Sequence, residues 1–131
     1  TVSQTGFTIT GSAPATPTAN AIYRDSIVKG WLETSGAGAW TIDDDLNVSS
    51  ITDNAVGDFT INWATAFASA NYSVVGTIID TVGTFPVIIG EEATTAKTAS
   101  LVRMGVHRAS IDAGTLADPD VGVSVIAIGD Q

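Results

Sequence analysis

The chain has no cysteine and a single histidine, His107. The first absence excludes disulfide frameworks, thiolate nucleophiles and cysteine-ligated zinc or iron–sulfur centres. Positive charge is also scarce. Five Lys plus Arg stand against 14 Asp plus Glu, a net charge of −9. Nucleic acid and anionic membrane surfaces both demand clustered cations, so neither is an expected partner. Charged residues of either sign make up only 15% of the sequence, where about 25% is usual for a soluble domain. Long hydrophobic runs are missing too. Val87-Ile88-Ile89 stops at Gly90, far short of the roughly 20 residues a bilayer span requires, and no membrane insertion is expected. The opening Thr1–Gly6 has neither a basic region nor an apolar stretch, so no signal peptide is read there.

What remains, in 131 residues, is rich in Thr and Ala (18 each), Ile and Val (13 each) and Gly (13). That length suits one domain. β-Branched side chains at this density favour strands, because their stiff χ1 packs well on a pleated surface. The reading is all-β: a jelly-roll-like β-sandwich of eight or nine short antiparallel strands. Strands are expected at 27–34, 40–42, 46–51, 58–63, 71–79, 85–89, 99–106 and 121–128, with a small-residue turn over 34–39. Residues 52–57 read as a long hairpin loop, and 64–71 as a loop or one helical turn. Phe59, Ile61 and Trp63 alternate with polar neighbours, the period of a half-buried strand. The last strand is apolar at nearly every position, which predicts that both of its faces are covered.

Residues 1–21 differ. Phe7 and Ile9 mark one short strand, followed by small residues punctuated by Pro14 and Pro17. Proline blocks ladder pairing and small side chains bury little, so this is read as an extended docking arm preceding a sandwich over 22–131.

No motif of catalysis is present: no nucleophile elbow, phosphate loop or dinucleotide fingerprint. A Ser–His–Asp system would have to use His107 with Ser110 and Asp112, a local clustering unlike assembled triads, and the chain is read as no enzyme. Nothing calls for a cofactor. Asp43-Asp44-Asp45 offers oxygen ligands, yet Val48 and Asn54 stand where a calcium loop needs Gly and Glu. It is read as a solvated acidic turn blunting a strand edge, and no metal is expected. Lys97, Arg103, His107 and Arg108 cluster within twelve residues, and Arg103 and His107 share one strand face by parity. They suit a contact patch; ion pairs with the abundant carboxylates are the plainer reading. Of the three tryptophans, Trp31 and Trp63 read as core and Trp40, beside a Gly-rich turn, as a contact residue. The weak contact candidates are therefore Trp40, Asp53, Asn54, Arg103, His107 and Arg108.

The stretch Leu46-Asn47-Val48-Ser49-Ser50-Ile51-Thr52-Asp53-Asn54-Ala55-Val56-Gly57-Asp58-Phe59-Thr60-Ile61-Asn62-Trp63 resembles a segment of tailed-bacteriophage fibre and appendage proteins, roughly N-V-S-S-I-T-D-N-G-T-G-D-Y-T-V-N-F. Thr16–Tyr23, Ile27–Trp31, Ala70–Gly76 and the closing Asp118–Gly129 are similar to the same family's flanks. Ala55 in place of the usual Gly, the Asp43–Asp45 run and the stretch 78–98 depart from it. The resemblance implies a virion structural protein on the phage particle surface: a homotrimeric tip, spike or knob that docks on other virion proteins and touches a host polysaccharide or protein. Capsid decoration is the alternative it leaves open.

Overall fold

The computed structural model describes Tyr23 and residues 26–36, 39–79, 87–108 and 121–131. Among them are eight strands: β1 (Val28–Gly36), β2 (Trp40–Leu46), β3 (Val48–Ala55), β4 (Asp58–Trp63), β5 (Ser73–Ile79), β6 (Val87–Glu91), β7 (Leu101–Arg108) and β8 (Gly122–Ile128). They form two antiparallel four-stranded sheets, ordered β2-β1-β8-β5 and β3-β4-β7-β6, with no α-helix among the described residues. The protein is an all-β sandwich. The expected arm over residues 1–21, with Phe7, Ile9, Pro14 and Pro17, lies outside the described residues, as do Ser110 and Asp112.

Period-two alternation builds the core. Phe59 and Ile61 are fully buried and Trp63 nearly so, all from one face of β4, facing Leu32 of β1 and Val123, Val125 and Ala127 of β8. Val102, Met104 and Val106 of β7 complete the same layer. At one end Phe67 and Tyr72 stack with centroids 4.0 Å apart, and Trp63 meets both edge-on. The Trp63 Nε1–H donates to the Tyr72 hydroxyl (3.0 Å), which donates to the Leu101 carbonyl (2.8 Å). Burial raises the Tyr72 pKa, because the phenolate would lose solvation, and the Trp63 donor opposes the rise only in part. Gly30 is obligatory for this packing: a Cβ there would stand 2.7 Å from a Trp63 ring carbon.

Asn47 separates β2 from β3 in the left-handed region, φ 64°, a conformation that Asn tolerates better than most residues. Its side chain then pins the loop after β4, accepting from Thr65 N (2.7 Å) and donating to Thr65 O (3.0 Å). Residues 64–71 contain no helical turn; they run as bends whose backbone bonds to Asn47, Ala99 and Asp130.

Several expectations need correction. The hairpin loop over 52–57 shrinks to a two-residue turn, because β3 continues to Ala55 and Gly57, at φ 68°, reverses the chain. Asp43, Asp44 and Asp45 form no turn; they sit within β2, an edge strand of its sheet. The last strand is sealed on one face only. Val123, Val125 and Ala127 are buried, while Ile126 on the opposite face is 40% exposed.

Candidate functional site

The outer face of the β3-β4-β7-β6 sheet gathers most of the polar chemistry. Register sets Thr52 beside Thr60 and Thr60 beside Arg103, and places Asp58 opposite Gly105. Arg103 Nε donates to Asp58 Oδ1 (2.8 Å) and its Nη2 forms a second bond to Asp58 Oδ2, a bidentate pair. The remaining fork nitrogen reaches Thr95 Oγ1 (3.0 Å). Asn54 Nδ2 bridges Asp58 Oδ1 (3.2 Å) and Thr60 Oγ1 (2.9 Å). One register step along, Asn62 Nδ2 donates to Ser50 Oγ (3.1 Å) and Thr52 Oγ1 (3.3 Å). The outcome is a ladder of amide and hydroxyl groups around one ion pair.

Gly105 makes room for a second pair. His107 Nε2 lies 2.6 Å from Glu92 Oε1, and a side chain at Gly105 would strike both groups. Lys97 closes the end of the patch, with Nζ 2.7 Å from Glu91 Oε1, 2.7 Å from the Tyr72 carbonyl and 4.8 Å from the Tyr72 ring centroid.

Parity placed Arg103 and His107 on one face, and they share it; Asn54 joins them from β3. Asp53, opposite Phe59, is exposed on the edge strand β3 outside this network. Of Arg108 only its strand position, opposite Val87, is described. Trp40 is a correction. It lies opposite Gly36, its indole turns inward, and at 7% exposure it packs on Phe59 with centroids 4.2 Å apart. A residue so enclosed belongs to the core. Sequence reasoning missed Asp58 and Glu92, the partners that hold Arg103 and His107.

The Arg103 guanidinium holds the Asp58 carboxyl below the usual carboxylate range, with Asn54 adding to the effect against the opposing cost of burial. The Arg103 pKa rises in turn, through its hydrogen bonds to Asp58. Asp58 ionises more readily in the folded chain than in the unfolded one, whose value is about 3.9. The pair's stabilisation is therefore complete above that value and is lost as pH falls through the lower folded value. Asp58→Asn is expected to lower the Tm at neutral pH and to converge with the parent protein in strong acid; thermal melts between pH 2 and 7 check it.

No family model, curated protein or solved structure matches this chain. The site is accordingly read from its own chemistry. His107 is bonded to a carboxylate, and no group of three or more potential metal ligands occurs among the described residues. What the face presents is a hydrogen-bonding surface on which Asp58, Glu91 and Glu92 each meet a basic side chain, Arg103, Lys97 and His107 in turn. Such a surface can share many hydrogen bonds with hydroxyl- or amide-rich partners.

Proposed function

We propose that the chain is a bacteriophage virion structural module, a homotrimeric tip or knob that docks on other virion proteins and contacts a host-surface polysaccharide or protein. The observation that carries the reading is the segment 46–63. It resembles the phage appendage pattern, and its residues form the β3–β4 hairpin whose outward side chains Ser50, Thr52, Asn54, Thr60 and Asn62 build the polar ladder. Amides and hydroxyls held in register exchange hydrogen bonds with sugar hydroxyls or peptide groups.

Two measurements test it. The purified protein is expected to bind cells that display the host capsule or outer polysaccharide. Phage carrying a chain without residues 1–20 should lose the module from their particles. Binding to capsids with none to cells would assign the chain to head decoration, and release of reducing sugar from the polysaccharide would make it an enzyme. Unchanged incorporation of the truncated chain would remove the docking role of Phe7, Ile9, Pro14 and Pro17.

A further inference from the structure

The two outer faces of the sandwich differ. Of the eight large apolar residues exposed among the described ones, five (Val28, Leu46, Val75, Ile79 and Ile126) lie on the outer face of β2-β1-β8-β5, while Ile88, beside His107, lies on the polar face. Register aligns Leu46 with Trp31, Trp31 with Ile126, and Ile126 with Val75. One unbroken apolar row thus crosses all four strands, with Leu46 47%, Ile126 40% and Val75 57% exposed. A contiguous apolar patch of this kind marks an interaction site.

The next row identifies the occupant. Asp44 aligns with Glu33, Glu33 with Ser124, and Ser124 with Thr77. Its β2–β1 half carries carboxylates, and its β8–β5 half carries hydroxyl donors. The two halves of the face therefore complement each other at equal height: apolar on apolar in one row, carboxylate on hydroxyl in the next. Such a match is heterologous, one half-face against a different half-face, and it repeats around a rotation axis parallel to the strands. A net charge of −9 disfavours nucleic acid and anionic lipid as occupants. The face measures roughly 24 by 19 Å, about 450 Å² in projection. The ring arrangement divides that area between two neighbours, one half-face to each.

We propose that this face packs against further copies of the same chain, the β2–β1 half of each meeting the β8–β5 half of the next around a three-fold axis. The inference rests on the trimeric reading above and assigns its interface. Leu46 and Val75 stand at opposite ends of the row, about 14 Å apart by strand spacing, whereas a disulfide needs Cα atoms within about 7 Å. Cysteines at both positions therefore bond between copies only. The chain's lack of native cysteine makes the readout clean.

The experiment pairs the solution mass of the parent protein, by light scattering, with oxidation of Leu46→Cys/Val75→Cys and denaturing electrophoresis. The expected result is a three-copy mass and a covalent ladder ending at three chains. Ser50→Cys/Ile88→Cys, at the two ends of the polar sheet, is expected to give no ladder. An assembled parent without the ladder, or with a ladder from the polar-sheet pair as well, overturns the assigned face and leaves trimerisation standing. In that outcome the face is covered by something else, such as residues 1–22 of the same chain. Covalent dimers alone overturn the cyclic arrangement, and a single-copy parent overturns the trimeric reading itself.

Discussion

Phe59→Ala is expected to destabilise the protein by about 3–5 kcal/mol, the range for removing a buried aromatic ring from a core. Phe59 is fully buried in β4, paired on one side with β3 and on the other with β7, so neither backbone can close over the space the ring leaves. The lost ring is also the support for Trp40, tilted 33° to it at 4.2 Å. Trp40 Nε1 is already buried without a hydrogen-bond partner among the described residues, so the indole is held by packing alone. Typical domains are stable by about 5–15 kcal/mol, so this one change removes a large share of the whole. Urea unfolding followed by tryptophan emission checks it through the fall in midpoint.

Tyr72→Phe ranks next, at about 1–3 kcal/mol. The ring stack on Phe67 survives the change, and only the oxygen is lost. That oxygen accepts from Trp63 Nε1 and donates to the Leu101 carbonyl. Its removal strands the Trp63 donor, while the Leu101 carbonyl keeps the Thr98 N–H (3.1 Å), and an unmade buried bond costs more than an average bond contributes. Tyr72→Phe combined with Trp63→Phe is expected to cost less than the sum of the two single changes, because the second substitution removes the stranded donor. Thermal melts of the four proteins give the coupling.

How far the sequence alone reaches depends on which physical quantity it encodes. The strand at 58–63 is legible to the residue, because Phe59, Ile61 and Trp63 alternate with Asp58, Thr60 and Asn62 and every apolar member goes inward. The shared face of Arg103 and His107 follows from the same parity. Their partners do not. Asp58 is 45 residues from Arg103 in sequence, and its position depends on β4–β7 register, which no local pattern records. Residues 121–128 mislead for a different reason: Ile126 and Val125 are both apolar, and composition cannot separate a face covered by the same chain from one left open. Trp40 misleads because its strand begins right after a turn, leaving no preceding alternation to fix which way the side chain points. The short β3–β4 turn was hidden by Thr52, Asp53 and Asn54, residues common in loops that here extend an edge strand.

The three indoles of this chain occupy unequal settings, with an optical consequence. Trp40 and Trp63 are 7% and 5% exposed, whereas Trp31 is only partly covered and sits mid-row on the apolar outer face. Ultraviolet emission is then the sum of two constant, blue-shifted contributions and one that follows its surroundings. A small neutral quencher such as acrylamide reaches Trp31 ahead of the others, so the chain carries its own dye for whatever comes to lie on that sheet.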